Sequence, residues 1–218
     1  MSIQKRFKVQ ELERIKAAVR EAESKISGEI VPVFVEKSGF YTIATHRAAL
    51  YSAAAVFTLI VIFDRYVPSL AIYDRDPLLF FVFVSLGGLI GGLIAHFILP
   101  VKRIMLSQVH LDQATKRRAE NAFLEEEVFN TRQRTGIMIF VSFFEREVIV
   151  MADKGISKVV DQKVWDSLVR GIIENVRNGK VVDGMEAAIK KCGEILLQKG
   201  FVITPDDMNE LKDDLRIE

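Results

Sequence analysis

The sequence is poor in cysteine and proline and carries no excess of charge of either sign. Its one cysteine, Cys192, excludes an intramolecular disulfide and an all-cysteine zinc site. With 13 Gly and 5 Pro in 218 residues, the composition is not that of a collagen-like or low-complexity chain. The 30 Lys and Arg nearly balance the 29 Asp and Glu. This balance lacks the basic signature of nucleic-acid binding, so we expect no nucleic-acid partner.

Catalytic motifs are also missing. The sequence contains no phosphate-binding loop, dinucleotide-binding glycine motif, G-x-S-x-G elbow or H-E-x-x-H pair. With only three scattered histidines, general-base or metal-ligand chemistry would fall to carboxylates. The best-placed ones follow predicted strands, namely Glu36, Asp153 and Asp161. They could hold calcium or magnesium, or serve as ordinary turn and capping residues. We assign no catalytic residue, and no cofactor is firmly implied.

Two long segments have no charged residue. Residues 48–63 and 78–101 are predominantly apolar, and a membrane-crossing helix needs roughly 20 such residues. We predict a transmembrane hairpin over 43–101, with spans at about 43–63 and 78–100 and a loop at 64–77. A pair of buried core helices is the alternative, but neither segment shows the polar face of a soluble helix.

The distribution of Lys and Arg predicts the topology. The loop has two basic residues, whereas seven flank the outer ends of the two spans. The positive-inside rule then gives a two-pass integral membrane protein with both termini and the soluble domain in the cytoplasm. The charged N-terminus has no apolar segment of a secretory signal. Membrane lipid is an expected partner, and the basic patch at 116–118 could rest on anionic headgroups or pack on the domain.

The glycines and the histidines of the spans each allow two interpretations. The second span carries Gly87, Gly88, Gly91 and Gly92, whose spacing suits close helix packing, either within a hairpin or in a homo-oligomer. His96 lies in the same span and His46 at the edge of the first. An intramembrane histidine can be a proton relay or metal ligand. A neutral imidazole hydrogen-bonded to a neighbouring helix is the simpler interpretation.

The remaining sequence alternates between helical and strand patterns. We predict a tail, residues 201–218, that is acidic and loosely docked, with six acids and two bases. Gly28 is expected to cap the first helix, and Pro32 to mark an edge strand or a position whose N–H is not needed. The predicted elements are helices at 8–27, 102–129, 162–178 and 181–198, and strands at 29–37, 136–144 and 148–152.

These elements suggest one α/β domain interrupted by the hairpin. Residues 1–42 and 102–200 together supply enough strands for a small sheet covered by helices. Neither the part before the spans nor the part after them has the pattern of a complete domain. We therefore predict a discontinuous soluble domain with the two spans inserted.

Several short motifs resemble those of the TPM domain family. The strand T-G-I-M-I, the hairpin E-R-E-V, the exit A-D-K-G-I and the opening strand E-I-V-P-V-F-V carry the resemblance, over about 1–40 and 104–200. It is nearest to the bacterial membrane-anchored branch with two inserted transmembrane helices. The resemblance implies a three-layer α/β/α sandwich with a small mixed sheet, in a bacterial inner membrane.

The family resemblance also implies candidate functions. Some members bind divalent cations, have a reported acid phosphatase activity, or assist repair and assembly of membrane complexes. This sequence lacks the family's opening strand and acidic turn, which contribute to the cation site. We therefore favour a membrane-anchored, non-catalytic binding, assembly or regulatory module with a membrane protein partner or a homo-oligomer. A divalent-metal-dependent phosphatase is the alternative, and a small transporter or channel subunit is a third idea.

Overall fold

The computed structural model describes residues 6–66, 76–204 and 209–217. It divides into two compact units, one formed by Met1–Ser38 with Asp112–Glu218 and the other by Gly39–Leu111. In chain order the elements are α1 (Val9–Glu23), β1 (Glu29–Val35), α2 (Thr42–Tyr66), α3 (Pro77–Phe97), α4 (Leu99–Ile104), α5 (Gln108–Glu125), β2 (Gly136–Ser142), β3 (Glu147–Ala152), α6 (Lys154–Ser157), α7 (Gln162–Arg177), α8 (Val181–Gln198) and β4 (Arg216–Ile217).

The first unit contains a four-stranded mixed sheet in the order β3-β2-β1-β4. β1 runs parallel to β2, with Glu29 opposite Gly136 and Val35 opposite Ser142. β3 returns antiparallel to β2 through the tight turn at 143–146. The predicted β-hairpin is therefore present, with strand ends within two residues of those expected.

Both faces of the sheet are covered. Every residue of β1 and β2 is buried, as continuous apolar strands require. Alternate residues such as Ile30 and Phe34 join a core with α1, α7 and α8. Their neighbours, such as Val31 and Val33, pack with Ala119 of α5 on the other face. The mixed α/β fold with helices on both faces of a small sheet agrees with the prediction.

Two helix boundaries differ from those predicted. α1 ends at Glu23 with Ser24 as a right-handed cap, so Gly28 does not cap it but leads into β1. The expected helix at 102–129 is two helices, α4 and α5, separated at Met105 to Ser107. The predicted break near Pro100 is present, because the backbone of Ile98 is extended between α3 and α4. Pro100 lies in the first turn of α4, where no backbone N–H is needed.

The tail is docked rather than loose. β4 pairs in parallel with Val33 and Phe34 of β1, so β1 is an inner strand and not an edge strand, which was one of the two alternatives for Pro32. Pro32 lies just outside this short pairing, so its missing N–H breaks no bond to β4. Phe201, at the start of the tail, packs against the core. The predicted acidic residues at 206 and 207 lie outside the described part of the chain.

The second unit is built around α2 and α3. Both helices are long and apolar enough to cross a membrane by length and composition. Asp76 caps α3 by accepting hydrogen bonds from the backbone N–H groups of Leu78 and Leu79. Most of the predicted loop at 64–77, including Arg75, lies outside the described residues. Arg47 of α2 donates to the carbonyl of Met105 at 3.1 Å, which ties the helix start to the end of the unit.

Candidate functional site

The predicted metal candidates do not come together. Glu36 follows β1 at the same sheet end as Ser142 of β2. Asp153 lies at the other end, where its N–H donates to the carbonyl of Gly136 at 2.9 Å. The length of β2 separates them, about 20 Å at 3.3 Å per residue. Asp161 is exposed and begins α7 without a side-chain capping bond.

Asp153 has a local structural role. Its carboxylate is 5% exposed, accepts the N–H of Lys154 at 2.7 Å and lies 2.7 Å from Nε of Arg134. A Cβ at Gly155 would lie 2.6 Å from the carbonyl of Arg134, so only glycine fits there. The A-D-K-G-I exit thus fastens the end of β3 to the turn that precedes β2.

A divalent cation does not fit the described carboxylates. Calcium takes six to eight oxygen ligands, and magnesium needs near-octahedral oxygen geometry. Within residues 6–66, 76–204 and 209–217, no group of three or more His, Cys, Asp or Glu could hold a metal ion. Asp153 already serves Arg134 and a backbone N–H. We therefore derive no reaction step through a metal at these residues.

A polar pocket of about 230 Å³ lies where β1 begins. We call it the acid pocket, because two carboxylates line it and a third, that of Asp213, is hydrogen-bonded to two of its lining residues. The sequence did not reveal this pocket, because its lining residues are far apart in the chain. Its two carboxylates, Glu23 and Glu29, belong to an ordinary helix pattern and an ordinary strand pattern. Its lining residues are Arg20, Glu23, Ser24, Ile26, Gly28, Glu29, Ile203 and Asn209.

Glu29 connects the acid pocket to the tail. Its carboxylate accepts the backbone N–H groups of Glu210 at 3.0 Å and Leu211 at 3.3 Å. Burial raises the pKa of Glu29, and these hydrogen bonds oppose the shift. The side chain thus replaces strand pairing for tail residues that precede β4.

Glu23 is the most perturbed acid of this pocket. One oxygen accepts the N–H of Ile30 at 2.8 Å, and the other is buried without a hydrogen-bond partner among the described residues. Burial, with the nearby Glu29 and Asp213 carboxylates, raises the pKa of Glu23 to about 8. The side chain is therefore neutral at pH 7 and limits the negative charge in the pocket.

Asp213 balances the acid pocket with a cation. Arg20 Nε lies 2.7 Å from its Oδ2, and Asn209 donates to Oδ1 at 2.5 Å. Burial alone would raise the pKa of Asp213, but the hydrogen bonds from Arg20 and Asn209 hold it below its usual value. Asp213 therefore stays charged and pins the tail to α1.

A second acidic group lies at the opposite end of the sheet. Glu145 is fully buried and accepts hydrogen bonds from the Ser142 hydroxyl and, at 2.8 Å, from the N–H of Ser38. Burial and the neighbouring carboxyl of Asp112 raise the pKa of Glu147 to about 7. The Glu145 carboxylate therefore joins the tight turn between β2 and β3 to Ser38, which follows β1.

The four glycines of α3 pack against α2 in the same chain. A Cβ at Gly88 would lie 3.3 Å from the Ala53 Cβ, and one at Gly92 would lie 3.4 Å from the Ala49 Cβ. Such close approach is the packing that small residues allow in membrane helices. We call this contact the glycine seam; it comprises Gly87, Gly88, Gly91 and Gly92 against Ala48, Ala49, Ser52, Ala53 and Val56.

The two span histidines have different local contacts. His46 Nδ1 lies 2.9 Å from the carbonyl of Thr42, one turn earlier in the same helix. His96 is exposed and stacks edge-on against Phe97, with ring centroids 4.9 Å apart. Each therefore has a local contact.

Cys192 is fully buried, and burial raises the pKa of its thiol to about 12, which suits a core residue rather than a nucleophile.

Comparison with known proteins finds one similar solved structure and one protein family that matches part of the sequence. The NMR structure of BA42 protein from the psychrophilic bacterium Bizionia argentinensis has a TM-score of 0.59 and 19% identity over 97% of this chain and 95% of its own. At this identity the likeness concerns the fold. Comparison with curated proteins finds no match. Residues 102–195 match the TPM domain, and this part of the chain is therefore similar to that family.

Proposed function

We propose that this chain is a membrane-anchored TPM-domain protein of the two-pass type. The observation that carries the proposal is the apolar outer surface of the α2–α3 hairpin. Long side chains that would pack in a soluble core point outward here, as in lipid-facing helices. The exposed apolar residues include Leu50, Phe57, Leu59, Val61, Ile62 and Phe63 of α2, and Leu79, Phe81, Leu86, Leu89, Ile90 and Leu93 of α3.

The position of the hairpin in the chain supports an anchoring role. It is inserted between β1 and α5, so both of its ends continue into the domain that holds the sheet. A membrane-inserted hairpin would keep that domain at the bilayer through two connections. The excess of Lys and Arg outside the loop favours the cytoplasmic side.

We further propose that the anchored domain binds, assembles or regulates membrane protein complexes without catalysis. Three buried carboxylates support this function, namely those of Glu29, Asp153 and Glu145. Each accepts a hydrogen bond from a backbone N–H group, so each has a structural role. The similarity to the TPM domain is consistent with such a role. The phosphatase alternative comes from the family resemblance alone.

Anchoring and topology can be tested together in cells. We expect the full chain to remain in the membrane pellet after alkaline carbonate extraction. In intact cells, a membrane-impermeant maleimide should label Asp64→Cys but not Glu120→Cys, and both should react after lysis. Recovery of the chain in the soluble fraction would overturn the anchor, and labelling of Glu120→Cys in intact cells would overturn the orientation.

The catalytic alternative has a separate test. The purified full chain should not hydrolyse p-nitrophenyl phosphate with millimolar magnesium or calcium. Turnover that Asp153→Asn abolishes, with an unchanged circular dichroism spectrum, would establish the phosphatase and contradict the binding module.

A further inference from the structure

A groove of about 600 Å³ runs between α7 and α8. Leu168, Ile172 and Ile195 line it and belong to the hydrophobic core of the sheet-bearing unit. The volume lies within the range of pockets that hold small molecules, about 300–1,000 Å³. The groove therefore offers an apolar interior next to the core.

Small residues shape the groove along its length. Near the turn that joins the helices, a Cβ at Gly184 would lie 2.7 Å from the Asn175 Cβ, so the helices nearly touch. Further from the turn, a Cβ at Gly171 would have no heavy atom within 4 Å. From Asn175 back to Lys163 the helix spans about 18 Å at 1.5 Å per residue. The groove is thus narrow, long and closed at the turn end.

The charge of the lining is all of one sign. Its two charged residues are Lys163 and Lys191, and no carboxylate lines it. Lys163 lies in the first turn of α7, about 18 Å along the helix from Asn175, and Lys191 lies about 10 Å along α8 from Gly184 at 1.5 Å per residue. Both lysines are therefore away from the turn, with Lys163 at the open end and Lys191 part of the way along. Lys191 lies 2.8 Å from Glu194, but both side chains are more than half exposed, so water screens the pair.

We propose that this groove binds a long-chain fatty acid. The carboxylate would lie between the ammonium groups of Lys163 and Lys191, and the acyl tail would run past Gly171 toward Gly184. A fatty acid combines one anionic end with a slender apolar tail, which matches a groove whose two lysines both lie away from its closed end. A peptide helix, about 10–12 Å wide, does not fit where Gly184 approaches Asn175. The proposal does not depend on membrane anchoring.

The single tryptophan of the chain provides the readout. Trp165 lies in α7 beside Val164, which lines the groove. The full chain, kept soluble in amphipol, would be titrated with brominated stearic acid, because bromine quenches indole fluorescence at short range. We expect saturable quenching. Gly171→Leu should weaken binding by at least about tenfold, since the new side chain fills open space in the groove.

Matched variants separate this site from partition elsewhere. Lys191→Gln should weaken binding, whereas Lys190→Gln should not, because Lys190 faces Glu21 of α1. The brominated methyl ester, which has no charge, should bind more weakly than the acid. Ala187→Leu gives a second blocking variant in the same groove if Gly171→Leu fails to fold. Quenching that never saturates, that both blocking variants leave unchanged, or that acid and ester share equally would overturn the proposal.

Discussion

Gly91 of α3 faces Ser52 of α2 so closely that a Cβ added at Gly91 would lie 2.3 Å from the Ser52 Cβ. The same added atom would lie 2.9 Å from the carbonyl oxygen of Ala48. Backbone carbonyls cannot move aside as flexible side chains can. The glycine seam therefore fixes the packing of the hairpin through backbone shape.

We expect cysteines at positions 49 and 92 to form a disulfide within one chain. A Cβ at Gly92 would lie 3.4 Å from the Ala49 Cβ, close to the separation of about 3.5–4.5 Å found in disulfides. The readout is faster migration of the oxidised monomer of Ala49→Cys/Gly92→Cys on a non-reducing gel. Native Cys192 can be kept, because its buried thiol is unreactive.

The matched control for this crosslink moves one cysteine by a single residue. Leu50 is 67% exposed and points away from the seam, so Leu50→Cys/Gly92→Cys should not form the intramolecular disulfide. A covalent dimer from the first pair would instead show that the seam joins two chains, which contradicts the hairpin packing.

Gly91→Val should open the hairpin. The added methyl groups have no space against Ser52, and overpacking of this kind costs about 1–3 kcal/mol. The yield of the 49–92 crosslink should fall in this variant and stay unchanged in Ile90→Val, whose side chain is 55% exposed. An undiminished crosslink in Gly91→Val would mean that α2 and α3 adjust more easily than their packing indicates.

The protein should lose stability as pH rises from about 4.5 to about 8 through Glu23. Its folded-state pKa lies above the unfolded value, so the folded chain holds the proton more tightly. The contribution is complete below the unfolded pKa and is lost as pH passes the folded pKa. Glu23→Gln, which stays neutral, should stabilise the fold at pH 9 by on the order of 3 kcal/mol.

The measurement is thermal unfolding followed by Trp165 fluorescence at pH 5, 7 and 9. Glu120→Gln, at an exposed position of α5, serves as the control and should keep the slope of the natural protein. If Glu23→Gln and the natural protein lose stability in parallel between pH 5 and 9, Glu23 is charged in the folded state and the assignment fails.

Glu29→Ala should release the tail. The substitution removes the acceptor for the N–H groups of Glu210 and Leu211, so trypsin should cut faster after the exposed Lys212. Removing an acceptor from a buried donor costs about 1–3 kcal/mol, and we expect a cost near the lower end because these two donors are part-buried. Glu29→Gln keeps one oxygen and should give an intermediate rate. Equal rates for all three chains would show that Glu29 does not hold the tail.

The elements with strong local patterns could be predicted from the sequence. α8 runs from Val181 to Gln198 as expected, because its apolar stripe and the glycines on either side define both ends. The β2–β3 hairpin followed from one continuous apolar strand and a polar turn. The two apolar helices were equally evident, since uninterrupted apolar sequence needs no tertiary information.

The acid pocket could not be predicted in the same way. It depends on contacts such as Arg20 with Asp213, almost 200 residues apart in sequence, and on a strand with only two paired residues. The tail therefore looked like a loose acidic end. Glu36 and Asp153 were both candidates because each follows a strand, but they lie at opposite ends of the sheet, because β3 runs antiparallel to β2.

The insertion of the hairpin between β1 and β2 has a consequence for biogenesis. Their parallel pairing joins segments roughly 100 residues apart, a separation that also makes folding slow. At about 5–20 residues per second, a ribosome needs roughly 5–20 s to make the intervening chain. During that time β1, which is apolar on both faces, has no β2 to pair with, because the hairpin is synthesised before β2. Protection of this strand by a chaperone or the insertion machinery would decide how much newly made chain reaches its folded form.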